Sequence, residues 1–270
     1  MSPPTSVVEL CRAFTLRMPA SARFSHTTAA LLLGAPLPFR HQSATPLHVS
    51  VPWPERALRV TGVTGHKLRL NERATERQGL RITSPEQTWC DLAAILSLPE
   101  LVAVGDFLIH WRLPYTTLQA LRNFATGHPA RRGRARLLEA IELLDDRAES
   151  PRESMLRVIL HHAGITETVS NLDIPLPGVR RVPRVDLAIP RLKIAIEYQG
   201  DYHRDQKQWR ADMTRISRLR AHGWTVIEVN ADDLDDPAEL VARIRLVIAS
   251  REAASSTASA SAEFGTMERA

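Results

Sequence analysis

RVPRVDLAIPRLKIAIEYQGDYH, residues 181–203, decides how the second half of the chain folds. It holds two runs rich in β-branched residues, about 182–189 and 192–198, joined by a short turn at Pro190-Arg191 and followed by Gly200. Each run carries one acid among apolar neighbours, Asp186 in VDLAI and Glu197 in IAIEY. In a hairpin the numbers of facing residues add to a constant. A two-residue loop pairs Ile189 with Leu192, a sum of 381, and a four-residue loop pairs Ile189 with Ile194, a sum of 383. Asp186 and Glu197 also add to 383. With either loop they stand opposite or one diagonal step apart, on one face, because side chains alternate with period two. An odd-length loop would separate them.

Facing carboxylates repel, and like charges directly opposite weaken a sheet. One resolution is a cation between them, for which a hard, oxygen-seeking divalent ion such as Mg²⁺ is suited. The other is that one acid faces solvent or pairs with Arg184 or Lys193.

At 270 residues with 44% hydrophobic content the chain is long enough for two domains, each with a core. The net charge is +5, the pI is about 9.7, and Arg far outnumbers Lys. That balance suits polyanions, Arg being the better bidentate phosphate ligand. Cys11 and Cys90 have neither metal-ligand nor CxxC spacing and fit a reducing compartment. AALLLGAPL (29–37) is too short to span a bilayer and lacks a basic segment directly before it. The expectation is a soluble, cytoplasmic protein with no membrane contact.

Along the chain, a short helix is predicted from Ser25 through Leu33, stopped by Gly34. Strand-like runs follow at 47–51, 59–70 and 80–82. Ser84, Pro85 and Gln87 mark a helix start, and further helices are predicted over 100–111 and from Thr116 or Thr117 to about Thr126. Residues 1–127 are read as a smaller mixed α+β domain, and 128–149, with Arg131, Arg132, Arg134 and Arg136, as a basic linker helix. The second domain, 150–250, opens on a capping box of Ser150, Pro151 and Glu153. After the hairpin comes a helix at about 204–222, with Trp209, Met213, Ile216 and Leu219 on one stripe and an i,i+3 pair of Asp212 and Arg215. A strand (223–229) and a helix (235–248) close the domain, in the order α-β-β-β-α-β-α: a mixed sheet flanked by helices, of α/β (α+β) class. The Ala/Ser-rich 251–270 has no period and is read as a disordered tail.

Glu153 in SPRES, Asp186 in RVDLA, Glu197 in IEYQGDYH, His203, then Asp212 and Arg215 in RADMTRISRLRAHGW follow one another in an order that resembles the PD-(D/E)xK nuclease superfamily. The likeness is nearest to the domain-of-unknown-function group related to the very-short-patch-repair (Vsr-like) endonucleases and covers about residues 148–248. It implies a restriction-endonuclease-like fold and Mg²⁺-dependent hydrolysis of DNA phosphodiesters, with Mn²⁺ as a substitute, in repair or defence. Asp186 and Glu197 would hold the metal, and Glu153, Gln199 and His203 would complete the catalytic set. Arg180, Arg181, Arg184, Arg210, Arg215 and Arg218 would meet DNA phosphates. Two positions depart from the pattern: Gln199 stands where the family places lysine, and Glu228 where relatives tend to have arginine. The N-terminal part resembles the region accompanying AbiEi-type antitoxins, with too few residues before it for a full winged helix, and implies a partner protein of a toxin–antitoxin or defence system. The competing reading is a catalytically silent DNA-binding or antitoxin-like regulator on a nuclease scaffold. A third is a protein-interaction module whose charge is compositional.

Overall fold

The computed structural model describes residues 6–69, 74–129, 132–200 and 206–267. His203, expected beside the two acids, lies outside them. The chain is a mixed α+β protein that divides into two compact units, Met1–Ser154 and Met155–Ala270. Among the described residues, no helix is long and apolar enough to cross a membrane.

The first unit begins with α1 (Val7–Thr15), whose N-cap Ser6 accepts a hydrogen bond from the Glu9 amide. A short strand, β1 (Arg23–Phe24), leads into α2 (His26–Leu33), which ends at Gly34 with φ +81°, a conformation glycine adopts without a Cβ penalty. Strands β2 (Leu47–Pro52), β3 (Val63–Leu68), β4 (Thr75–Arg77) and β5 (Leu80–Ile82) follow. Among the described residues they make a five-stranded mixed sheet in the order β3-β2-β1-β5-β4. β2 runs parallel to β3 and antiparallel to β1, and β1 runs parallel to β5.

Helix α3 (Pro85–Leu92) starts where expected, Ser84 accepting from the Gln87 amide at 3.1 Å. The Gln87 side chain turns instead to Asp91 and His128. Three more helices, α4 (Leu98–Ile109), α5 (Leu118–Gly127) and α6 (Arg134–Glu142), complete the layer. Trp89 is fully buried in this unit and donates its indole N–H to the Leu101 carbonyl at 2.9 Å, so no polar atom of the ring is stranded.

The expected linker over 128–149 belongs to this packing. Leu137, Ala140 and Ile141 are buried, Arg134 donates to the His128 carbonyl, and Arg136 donates to that of Ala93. Arg134 and Arg136 tie loops together just after Gly133, where two backbones come into contact. A Cβ on Gly133, at φ +78°, would collide with the Ala93–Ala94 peptide.

Helix α7 (Pro151–His162) starts from Ser150, whose hydroxyl accepts from the Glu153 amide at 3.2 Å. Beyond it come β6 (Val169–Asp173), β7 (Arg184–Ile189), β8 (Ile194–Tyr198), α8 (Gln206–Ala221), β9 (Thr225–Val229), α9 (Ala231–Asp235) and α10 (Pro237–Met267). Among the described residues the second sheet has four strands in the order β6-β7-β8-β9, antiparallel except for the parallel β8/β9 pair. This is the mixed sheet expected for 150–250, with the short α9 added to the expected order before the closing helix. One face buries Leu187, Ile189, Ile194, Ile196, Ile227 and Val229 against Leu156, Leu160, Leu240 and Ile244. Burying one such side chain is worth about 1.5–3 kcal/mol. The other face has small residues at its centre, Ala188 paired with Ala195, and packs with Leu219 of α8.

Two readings need correction. The apolar stripe of α8 is narrower than its spacing suggests, since Ile216 and Leu219 are buried but Met213 is 44% exposed. The tail read as disordered continues α10 as helix through Met267. Absence of period signals absence of a buried face, yet an alanine-rich run needs no buried face to favour helix. Near the start of that run Arg251 donates to the carbonyls of Leu192 and Gly223, both at 2.7 Å.

Candidate active site

Ile189 pairs with Ile194, Ala188 with Ala195, and Leu187 with Ile196. The hairpin therefore uses the four-residue loop, Pro190 to Lys193, closed by Lys193 at φ +51°. Continued by one residue, the register sets Asp186 opposite Glu197 on the face that carries Ala188 and Ala195. Asp186 is half-buried, and its Oδ2 accepts from the Tyr198 amide at 2.8 Å. Glu197 is 3% exposed. A third acid continues the row, because Glu197 is in register with Glu228 on β9.

A positive charge does stand beside these acids, and a side chain supplies it. Arg215 of α8 places Nη1 2.5 Å from Glu197 Oε1 and 2.9 Å from the Arg184 carbonyl, with Nη2 3.5 Å from Asp212 Oδ1. Burial works against the guanidinium charge, yet the bond to Glu197 and the fields of Glu197, Asp212 and Asp186 raise its pKa above the ordinary value. Arg215, expected to meet phosphate, thus has its guanidinium on Glu197. The i,i+3 pair with Asp212 is present, but as the outer part of this cluster.

Arg184 forms a fork on Asp173, with Nε to Oδ1 and Nη2 to Oδ2 both at 2.8 Å, across the β6/β7 pair that sets these two residues opposite. Arg180, Arg181, Arg210 and Arg218 are exposed. Glu228 pairs with Arg220 at 3.4 Å, so its charge is partly answered from α8. Gln199 is half-buried just beyond β8, its amide bonded to the Val229 carbonyl at 2.6 Å. Glu153 is buried in the first unit, and its Oε2 accepts from the Glu149 amide at 3.0 Å, one residue ahead of the partner a capping box would use.

A second cluster escapes sequence reading. His26, His48 and His66 of the first unit each offer a ring nitrogen, all within 4.8 Å of one another. Among the described residues this is the one group of three or more potential metal-ligating side chains so placed. The residues are far apart in the chain, and the available signal was that His48 and His66 fall inside predicted strands, at 47–51 and 59–70.

No protein-family model matches the chain. It is similar to the uncharacterized protein MT2308 of Mycobacterium tuberculosis strain CDC 1551 / Oshkosh, 29% identical over 220 residues, 80% of this chain and 78% of the relative. The same values hold for the uncharacterized protein Rv2248 of M. tuberculosis strain ATCC 25618 / H37Rv. Among solved structures, the homing endonuclease I-Bth0305I catalytic domain matches 37% of this chain and 94% of its own length, at 23% identity and a TM-score of 0.30. A score of that size carries no argument, and the functional reading rests on the residues themselves.

Proposed function

We propose that the second unit is a metal-dependent DNA endonuclease, serving repair or defence, that hydrolyses phosphodiesters with an activated water. What carries this reading is the pairing of Asp186 and Glu197 on one half-buried sheet face, in the register of a four-residue loop. An acid as enclosed as Glu197 is costly to keep charged, and its placement opposite a second acid is explained by chemistry that needs both. The donor set fits the ion: two carboxylates offer the oxygen ligands that Mg²⁺ or Mn²⁺ prefers. A bound divalent ion would polarise the phosphate and lower the pKa of a water.

The chain's own residues divide the remaining work. Arg215 neutralises Glu197 before the ion arrives and would turn toward phosphate once displaced. The exposed Arg180, Arg181, Arg210 and Arg218, with Arg184 at the edge of the cluster, would neutralise backbone phosphates, giving binding that weakens steeply with salt. Gln199 would orient a water, Glu153 would assist from the start of α7, and His203 would act as general base or phosphate ligand. A toxin–antitoxin or defence partner belongs to this same proposal.

One observation favours a second reading. The Arg215–Glu197 contact at 2.5 Å already balances the buried acid without a metal, as expected of a catalytically silent DNA-binding regulator. Plasmid cleavage with Mg²⁺ or Mn²⁺ separates the two. The endonuclease reading expects nicking that falls about 100- to 1,000-fold in Asp186→Ala and in Glu197→Ala, the loss of several kcal/mol of metal-borne stabilisation. Binding of DNA without cutting under either ion would instead establish the silent regulator.

A further inference from the structure

We propose that His26, His48 and His66 form a binding site for a borderline divalent transition metal of the Zn²⁺ class, which would fasten the β1–α2 corner to strands β2 and β3. The argument starts from the backbone. His48 lies on β2 and His66 on the parallel neighbour β3, where Ser50 pairs with His66, so the two imidazoles are diagonal neighbours on one sheet face. Their facing nitrogens, His48 Nδ1 and His66 Nε2, are 3.0 Å apart and share a hydrogen bond whose proton a bound ion would displace. Two nitrogens bound to one tetrahedral zinc at about 2.0–2.1 Å stand about 3.3 Å apart. The pair is therefore already spaced for a shared ion.

His26 closes the third side. It opens α2, one residue beyond β1, and its ring stacks on His66 with centroids 3.7 Å apart. Its backbone sits at φ +51°, a left-handed conformation uncommon outside glycine and concentrated at functional positions. The corner is held in place by the Ser25 amide donating to the His48 carbonyl at 2.9 Å and the His48 amide donating to Thr28 Oγ1 at 2.8 Å. The 4.8 Å that encloses all three nitrogens exceeds the spacing around a bound ion, so the proposal requires the stacked rings to turn about their side-chain torsions as the ion binds.

The surroundings have the form that metal-bound histidines use. His26 Nδ1 faces Ser25 Oγ at 3.0 Å and Asp91 Oδ2 at 3.4 Å, which leaves Nε2 for a metal. Asp91 Oδ1 in turn accepts from Gln87 Nε2 at 2.7 Å, and Ser25 Oγ accepts from Ser50 Oγ at 2.7 Å. A carboxylate behind a histidine fixes the tautomer and ring orientation of a ligand. Three imidazoles and no carboxylate in the first rank favour Zn²⁺, Co²⁺ or Ni²⁺ over Mg²⁺ or Ca²⁺. Three protein ligands also leave a fourth position for water or another molecule.

The test uses the full chain, stripped with chelator and titrated with Co²⁺ alone and then with Zn²⁺. The expected result is one equivalent of Co²⁺ with the visible absorption of a tetrahedral nitrogen-rich site, displaced by Zn²⁺. That signal should vanish in His48→Gln and His66→Gln and persist in Asp186→Ala and Glu197→Ala. Asp91→Asn removes no ligand and should weaken binding about 10- to 100-fold, the usual effect of losing such a supporting carboxylate. Thermal melts in chelator confirm that each variant folds before metal is added. Failure of the folded wild-type protein to take up a stoichiometric ion would overturn the proposal. So would a signal that survives both histidine variants, or one lost only when Asp186 or Glu197 is replaced.

Discussion

Each of the two sheets gathers side chains that would repel one another if charged and left alone, and each resolves the conflict differently. In the second sheet Asp186 and Glu197 face each other across a hairpin, and Arg215 brings a charge of the opposite sign. In the first, His26, His48 and His66 converge from a corner and two parallel strands, and burial removes their charge. An acid pair answered by arginine stays an electrostatic site, tunable by ions and salt. A neutral imidazole trio is instead a set of lone pairs, suited to a metal that tolerates nitrogen.

The sharpest way to break this contrast is at Arg215. Arg215→Met would leave Glu197 buried beside Asp186 with its counter-charge gone, a loss of about 3 kcal/mol in urea unfolding, at the low end for a broken buried pair because Arg215 is partly exposed. The double variant Arg215→Met/Glu197→Gln should recover most of that loss, and the coupling from the four-corner cycle measures the pair directly. Equal stability of all four proteins would mean that the contact does no electrostatic work.

A second test moves the histidines without touching them. Gly65 precedes His66 on β3, and a Cβ there would run into the backbone of Leu58. Gly65→Ala should cost about 1–3 kcal/mol, as overpacking does, and displace His66 enough to reduce the Co²⁺ absorption. The carboxylate site of the other unit should be unaffected. A variant that binds Co²⁺ as well as the wild type would show that the trio does not depend on this close approach.

The smallest effect is the dependence on pH. Burial lowers the pKa of His26, His48, His66 and His128, that of His66 to about 4. The unfolded chain, with imidazoles near 6.5, then binds more protons than the folded one, so stability is complete above about pH 6.5 and falls as pH drops toward 4. Each group contributes at most about 1.4 kcal/mol per pH unit. In chelator-treated protein the unfolding midpoint should fall across that window, and His66→Gln should flatten the fall.

What the sequence disclosed followed from how local each feature is. Asp186 and Glu197 could be placed on one face because a single hairpin holds both, and parity alone decides their sides. Parity does not decide which of the two even loops forms, and Lys193 in a left-handed conformation closes the longer one. Arg215 could be read as the partner of Asp212, one helical turn away. Its reach to Glu197 could not, since that depends on how α8 lies over Ala188 and Ala195. The histidine trio was invisible for the same reason in stronger form: three distant segments must be folded before any two of its members meet. At the end of the chain, composition alone suggested disorder, and the helix forms because alanine-rich sequence needs no core to favour that conformation.

Arg251 gives that last helix a consequence at a distance. One guanidinium holds the carbonyl of the hairpin turn at Leu192 and that of the turn before β9 at Gly223, and the Thr225 amide reaches Lys193 between them. Two loops separated by all of β8 and α8 are thus closed into one ring by a residue from the far end of the protein. Amide exchange at Lys193 and Thr225 should therefore report on the last helix, and a chain shortened to residue 250 should lose that protection together while one ending at residue 256 keeps it.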